Sequence, residues 1–247
     1  GTDSPVAGYP VHVIGNASVT ISRSRFDGRN GTDTFAGLLN VKDGTVTVTR
    51  SHFTRARNTA IVTTGNAYLT VNESLFDATG DSGAIGTHAE ATHGMMAKRL
   101  TFERNLYDYS RNALTVTGSS FSAVHFTEAY TGTIDEFTSN EEIIRGYKVP
   151  NVYVYYAIGS SHSRNSVIRT KITKDIIEEG VTPNRRTYPN LAGLNVANPA
   201  DYAGNTDFAT GAPLTYIATQ GFVLSSTPPP VTTTYAITAS TGVGGSL

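Results

Sequence analysis

A phrase of eight residues recurs along the first half of the chain and constrains its fold more than any other feature. It reads apolar, any residue, apolar, two polar residues, Ser or Asn, any residue, aromatic, as in VTISRSRF. Four copies end at Phe26, Phe53, Phe76 and Tyr107, spaced 23 to 31 residues apart, and a looser copy, VHFTEAYT, ends at Thr131. A unit of about 23 residues with insertions is typical of solenoids.

Each copy has the pattern of a β-strand with one buried face, because its apolar residues alternate and Val, Ile, Thr and Phe dominate. A second short strand is predicted before each copy, at residues 11–15, 37–41, 60–65, 83–87 and 113–118, and Gly, Asn and Asp fill the corners. We therefore predict an all-β fold, a right-handed single-stranded parallel β-helix in which each coil of roughly 23 residues adds one rung.

Two columns of side chains are expected to stack from coil to coil. The polar residue two positions before each aromatic should form a hydrogen-bonded ladder. Its members are Ser24, Ser51, Ser74 and Asn105. The aromatic residues themselves should stack in the core.

The clear coils extend over residues 11–172, and the whole chain, 1–247, is predicted to be one domain. Residues 173–247 form an irregular C-terminal tail that we expect to pack on the coils, with a helical turn at 174–179. Insertions that could carry function are predicted at 29–35, 87–98 and 133–151.

Composition excludes several classes of partner. The net charge of −1 over 247 residues gives no basis for binding nucleic acid, which requires a strongly basic surface. No apolar run approaches the roughly 20 residues of a membrane span. The absence of cysteine excludes a disulfide scaffold but not secretion.

Several stretches in the same order resemble the pectate lyases of polysaccharide lyase family 1. They are TTGNAYLTVNESLF at 63–76, FDATGDSGAIGTHAEATHG at 76–94, RLTFERNLYDYSRNAL at 99–114, VYYAIGSSHSRNSVI at 154–168 and TPPPVTTTYAITAS at 227–240. The resemblance implies a secreted enzyme that cleaves polygalacturonate by calcium-dependent β-elimination. Cations and Ca²⁺ would stabilise the charge that grows in the transition state.

Carried over to this sequence, the resemblance assigns the catalytic arginine to Arg111. Four other charged positions of the family fall here on Thr49, Ile61, Asp81 and Val116. These replacements argue against ordinary catalysis, so the chain is either a diverged relative or one whose chemistry uses other residues. A relative that only binds glycan is the alternative.

Further catalytic candidates lie in the insertion after Gly86. His88, Glu90 and His93 follow an H-x-E-x-x-H spacing, with Lys98 and Arg99 close behind. Imidazole and carboxylate groups can act as acid and base or bind a metal. His88 and Lys98 are accordingly weak catalytic candidates, and ordinary loop residues are the competing interpretation.

Calcium and substrate candidates lie at corners of the coils. Asp77 and Asp81 flank one corner and could bind Ca²⁺ through their carboxylates, although acidic residues are common in turns. His162 and Arg164 occupy the analogous corner of a later coil, where a cation could contact a uronate carboxylate.

Four more ionisable residues are predicted to have no functional role. His52 and His125 lie in repeat strands and are expected to point to solvent, and Glu141 and Glu142 are expected to form a solvated acidic pair.

The leading hypothesis is a secreted, monomeric polysaccharide lyase that acts on polygalacturonate or a related acidic glycan. A non-catalytic glycan-binding β-helix is one alternative. A structural β-helix of the phage tail-spike or adhesin type is another, and it would show an apolar stripe along one flank.

Overall fold

The computed structural model describes residues 9–28, 37–56, 59–77, 90–108, 122–127, 133–145, 153–158, 167–177, 199–217 and 221–225. Apart from a short 3-10 helix at Pro199–Tyr202, these segments are short strands joined by tight corners, so the protein is all-β with parallel sheets. No helix in them is long and apolar enough to cross a membrane.

The strands are numbered in chain order. The first twelve are β1 (Val11–Ile14), β2 (Ser18–Ser22), β3 (Arg25–Asp27), β4 (Gly37–Lys42), β5 (Thr45–Thr49), β6 (His52–Thr54), β7 (Thr59–Thr64), β8 (Tyr68–Asn72), β9 (Leu75–Asp77), β10 (Thr92–Gly94), β11 (Ala97–Glu103) and β12 (Leu106–Asp108). The others are β13 (Ser122–Thr127), β14 (Ile134–Asn140), β15 (Ile143–Arg145), β16 (Tyr153–Ile158), β17 (Val167–Thr173), β18 (Ile176–Ile177), β19 (Thr206–Asp207), β20 (Leu214–Ile217) and β21 (Gly221–Leu224).

Three parallel sheets contain all of these strands except the last two, and neighbours within a sheet lie three strands apart along the chain, apart from the consecutive strands β18 and β19. Sheet 1 has the order β1-β4-β7-β10-β13-β16. Sheet 2 is β2-β5-β8-β11-β14-β17, with the same order along the stack, and sheet 3 is β3-β6-β9-β12-β15-β18-β19. The chain therefore visits the three sheets in turn, and each set of three strands makes one unit. Strands β20 and β21 form an antiparallel pair.

The core lies between the sheets and is built from columns of aligned side chains. Phe26, Phe53, Phe76 and Tyr107 stack with ring centroids 4.5, 4.8 and 4.9 Å apart. The last three rings are fully buried. The predicted aromatic column is therefore confirmed as core.

The predicted polar ladder is also confirmed. The Oγ of Ser51 accepts the backbone N–H of Ser24 at 3.2 Å, and the Oγ of Ser74 accepts that of Ser51 at 3.1 Å. Asn105 Oδ1 accepts the N–H of Ser74 at 2.9 Å. Ser51, Ser74 and Asn105 thus each satisfy one backbone N–H of the preceding unit, which would cost free energy if it were buried without an acceptor.

The residue before each ladder position adopts a left-handed backbone conformation, which turns the chain from sheet 2 into sheet 3. Its φ angle lies between 49° and 79° in all seven units. These residues are Arg23, Arg50, Glu73, Arg104, Glu141, Lys174 and Gly204. Non-glycine residues seldom adopt this conformation, so the corner is a fixed geometric requirement of every unit.

The prediction of a repeat copy ending at Thr131 was wrong. Its strand, β13, pairs with β10 in sheet 1 rather than with the repeated phrase in sheet 2. The fifth copy of the phrase lies instead in the predicted insertion 133–151, where β14 and β15 continue sheets 2 and 3. The copy is hard to recognise because polar Glu142 replaces Ser or Asn and Ile144 replaces the aromatic residue.

The predicted helical turn at 174–179 was also wrong where the structure describes it. Ile176 and Ile177 form β18, and Asp175 continues the ladder by accepting the backbone N–H of Glu142 at 2.9 Å. Asn205 Oδ1 in turn accepts the N–H of Asp175 at 2.8 Å. Part of the predicted irregular tail is therefore a seventh unit. The predicted strands at 83–87 and 113–118 lie outside the described residues.

Candidate functional site

The outer face of sheet 2 presents a straight column of threonines. Strand alternation points every second side chain away from the core, and the strands are aligned so that one outward position is Thr in five successive units. The column consists of Thr20, Thr47, Thr70, Thr101 and Thr138, and Lys171 follows in the sixth unit. Because neighbouring strands lie about 4.8 Å apart, the hydroxyl groups repeat at that spacing along the stack.

A second outward column changes from neutral to charged along the stack. Ser18 and Thr45 are followed by Tyr68, and then by Arg99 and Glu136. The side chain of Arg99 lies over the Tyr68 ring, 5.7 Å from its centroid. Tyr68 is 40% exposed, so an aromatic surface and a guanidinium group face solvent together.

Charged pairs lie beside this Tyr68–Arg99 contact. Lys98 Nζ contacts Asp135 Oδ2 at 3.0 Å, and Arg169 pairs with Glu136. The hydrogen bond from Lys98 is the largest cause that lowers the pKa of Asp135. In the part of the chain that the structure describes, exposed Lys171 has no carboxylate partner. Arg99 and Lys171 are therefore the cations of this face that remain available to an anionic ligand.

Lys98, a weak catalytic candidate from the sequence, thus lies at the start of β11 and forms an ion pair with Asp135. Glu90 is fully buried and accepts a hydrogen bond from Thr59 Oγ1 at 2.7 Å, whereas His93 is half-buried on the outer side of sheet 1. His88 lies outside the described residues.

Asp77, the calcium candidate, ends β9 with its side chain largely buried. Its Oδ1 lies 3.0 Å from Nε2 of His52. His52 is half-buried, so it does not simply point to solvent. One unit further on, Asp108 has its Oδ2 2.8 Å from a guanidinium nitrogen of Arg145. A row of carboxylates with basic partners therefore follows the end of sheet 3.

Calcium remains a prediction. No group of three or more His, Cys, Asp or Glu side chains that could hold a metal ion occurs among the described residues, and Asp77 by itself does not make a calcium site. Five predicted site residues lie outside the described segments. They are the catalytic candidates Arg111 and His88, the substrate candidates His162 and Arg164, and the calcium candidate Asp81.

The predictions that His125 and Glu142 face solvent were wrong, since both side chains are fully buried. His125 Nε2 lies 2.8 Å from Glu142 Oε2, and His125 Nδ1 lies 2.8 Å from Thr92 Oγ1. The Oε1 of Glu142 accepts hydrogen bonds from Asn105 at 2.8 Å and from the Tyr107 hydroxyl at 3.0 Å. Period-two patterning treats histidine and glutamate as polar and so places them outside, but the ladder position of Glu142 is an inward one.

The chain matches no protein-family model, no curated protein and no solved structure.

Proposed function

We propose that the protein is a secreted right-handed parallel β-helix that binds an acidic polysaccharide along the outer face of sheet 2. The β-helical winding is supported by the order of the sheets, in which strands β1 to β18 pair with strands three places away along the chain. Right-handed crossovers are strongly favoured between parallel strands of one sheet.

The threonine column is the observation that carries the binding proposal. Five hydroxyl groups in register, repeating about every 4.8 Å, suit an extended polymer with its own repeating hydroxyl groups better than a compact small molecule. The exposed ring of Tyr68 offers a surface on which a sugar ring can pack.

The preference for an acidic glycan comes from Arg99 and Lys171. A guanidinium group can hold a carboxylate by two parallel hydrogen bonds, and an ammonium group acts as a point charge. Both side chains project from sheet 2, so they can contact uronate carboxylates while the polymer lies along the threonines.

Binding to polygalacturonate and to a neutral glucan, measured by calorimetry at low and high salt, tests this proposal. We expect binding to polygalacturonate that weakens with salt and is reduced in Arg99→Ala and Tyr68→Ala. Arg50→Ala is the matched control, because Arg50 is an exposed arginine at the corner, hydrogen-bonded to Glu73 at 2.6 Å. Equal losses in Arg99→Ala and Arg50→Ala would argue against the proposed face.

Cleavage of the bound glycan by β-elimination is the activity that the pectate lyase resemblance adds to this proposal. Incubation with polygalacturonate at alkaline pH, with Ca²⁺ or with a chelator, would reveal unsaturated product by ultraviolet absorbance. Calcium-dependent product that disappears in Arg111→Ala supports the lyase. Retained binding without product identifies a glycan-binding protein that does not cleave.

A structural, self-associating role is the second candidate, and one observation favours it. Half-buried apolar side chains form a row on the outer face of sheet 3 in four successive units, namely Leu75, Leu106, Ile143 and Ile176. Light scattering distinguishes the structural role from glycan binding. A stable oligomer that Ile143→Lys dissociates supports the structural role, whereas a monomer supports glycan binding.

A further inference from the structure

The apolar row on the outer face of sheet 3 has a definite extent. It begins in the third unit with Leu75 and ends in the sixth unit with Ile176. The same position holds exposed Arg25 in the first unit and His52 in the second, and it holds Thr206 in the seventh. Four successive units therefore form an apolar block about 19 Å long, since neighbouring strands lie about 4.8 Å apart.

A column of alternating charges borders this block at the corner between sheets 2 and 3. From the third unit to the sixth, the corner residues are Glu73, Arg104, Glu141 and Lys174. Glu141 Oε1 lies 3.0 Å from Lys174 Nζ, and Glu73 Oε1 lies 3.7 Å from a guanidinium nitrogen of Arg104. Each of the four side chains is at least 38% exposed, so each can also meet a charge on another molecule.

The column of charges is its own complement when it is read from the opposite end. It runs negative, positive, negative, positive over the same four units as the apolar block. In a second copy that packs on the block with its units in the reverse order, the sixth unit faces the third and the fifth faces the fourth. Glu73 then meets Lys174 of the second copy, and Arg104 meets Glu141 of the second copy. Charge complementarity of this kind fixes the register of an interface.

The opposite border of the block agrees with the reverse order. Asp108 ends β12 in the fourth unit and Arg145 ends β15 in the fifth, so each faces the other charge in the second copy. With the units of both copies in the same order, the corner residue Glu73 would instead face Asp77 of the second copy, and the two copies of Arg25 would face each other. Like charges placed opposite one another disfavour that arrangement.

We propose that the protein forms an antiparallel homodimer, in which the apolar blocks of two copies pack face to face about a two-fold axis between β12 and β15. Each contact of such an interface occurs twice. Because the block covers only four units, the interface is small, and we expect a weak, reversible dimer rather than a stable structural oligomer. The dimer does not depend on glycan binding, since it leaves the outer face of sheet 2 uncovered in both copies.

Sedimentation velocity over a range of protein concentrations tests the dimer. The unmodified protein should change from monomer to dimer as its concentration rises, and high salt should weaken the association. Arg104→Glu should raise the dissociation constant at least about tenfold, because it places like charges opposite each other. Exchanging the two charges in Arg104→Glu/Glu141→Arg should restore the dimer. Glutamate already occupies the corner in two other units, so the backbone accommodates it.

Arg50→Glu is the matched control for the charge reversal. Arg50 belongs to the same column and pairs with the same Glu73, at 2.6 Å, but it lies in the second unit and therefore outside the block. Its reversal should leave the dimer intact. A protein that stays monomeric up to millimolar concentration would overturn the proposal, and so would equal losses of dimer in Arg50→Glu and Arg104→Glu.

Disulfide trapping tests the orientation, because the chain has no cysteine of its own. Oxidation of a mixture of Leu75→Cys and Ile176→Cys proteins should yield a covalent dimer that contains one chain of each. Leu75→Cys alone should yield little, since its two copies lie three units apart, about 14 Å, and a disulfide joins Cα atoms within about 7 Å. Efficient linkage of Leu75→Cys to itself, or no mixed dimer, would overturn the antiparallel arrangement.

Discussion

The first three units and the later units use the same ladder position for different chemistry. In the first three it is serine, and each neutral hydroxyl group also donates within its own unit, as Ser74 Oγ does to the carbonyl of Asn72 at 2.9 Å. In the fourth and seventh units it is asparagine, and in the fifth and sixth it is Glu142 and Asp175, whose carboxyl groups belong to a buried network. The backbone therefore requires an acceptor at this position but not a particular charge.

The outer face of sheet 2 changes in parallel with the ladder. Its early units carry Ser and Thr, whereas its later units add Arg99, Glu136 and Lys171 around the same threonine column. The neutral units supply a regular surface and the charged units supply the means of selecting a ligand.

The largest expected difference between the regions comes from removing a ladder side chain. Glu142→Ala should cost about 3–5 kcal/mol, because it leaves His125 and several buried donors without their acceptor. Ser74→Ala removes one acceptor from the N–H of Ser51 and should cost about 1–3 kcal/mol. Denaturant unfolding of both variants measures the difference. Equal losses of stability would show that the carboxylate at the ladder position contributes no more than the serine.

The contribution of side chains to glycan binding should also differ between the neutral early units and the charged later units of sheet 2. Arg99→Ala is expected to weaken binding to polygalacturonate about tenfold, equivalent to about 1.4 kcal/mol. Thr47→Val, in the neutral part of the face, keeps the side-chain shape and should change binding much less. Calorimetric titration measures both, and a larger effect of Thr47→Val would assign selectivity to the hydroxyl column.

The corner residues allow a smaller and opposite change in stability. Arg23 has a φ of 49°, and an L-residue in this region costs about 1–2 kcal/mol relative to its ordinary conformation. Arg23→Gly should therefore raise the thermal midpoint slightly, because glycine adopts positive φ readily. Glu141→Gly should gain less, since it also removes the 3.0 Å contact to Lys174. A loss of stability in Arg23→Gly would show that its side chain contributes to the corner.

The smallest expected effect concerns the Lys98–Asp135 pair. Lys98 lowers the pKa of Asp135 below its usual value, so the pair stabilises the fold above the ordinary aspartate pKa. That contribution is lost as the pH falls through the lowered value. Because both groups are partly exposed, we expect only a few tenths of a kcal/mol. Acid unfolding of Asp135→Asn measures it, and a large shift would mean that the pair supports more than its own contact.

The early units could be predicted from sequence because their local patterns agree with their packing. The phrase ending at Phe53 alternates polar and apolar residues, and both of its predicted columns are present in the structure. The later units could not, because Ile144 replaces an aromatic residue and Glu142 is a charged residue in an inward position. A buried carboxylate is stable only with partners supplied by distant strands, and a local pattern does not contain them.

The candidate site also depends on contacts between distant strands, which a local sequence pattern does not contain. The threonines could be recognised as strand residues, but their alignment depends on loop lengths that set the register between units. The contact of Arg99 with Tyr68 joins residues 31 positions apart in neighbouring strands. Only the pairing of β8 with β11 brings them together.

The ladder also has a direction, since each side chain accepts a hydrogen bond from the unit before it and none of these contacts depends on how many units precede or follow. The architecture is therefore modular in length. A duplicated segment 51–73, inserted after Glu73, would meet an N–H and an acceptor in the positions that its neighbours already use. Each such insertion would lengthen the threonine face by about 4.8 Å, so the reach of the protein along a polymer could be set by counting repeats.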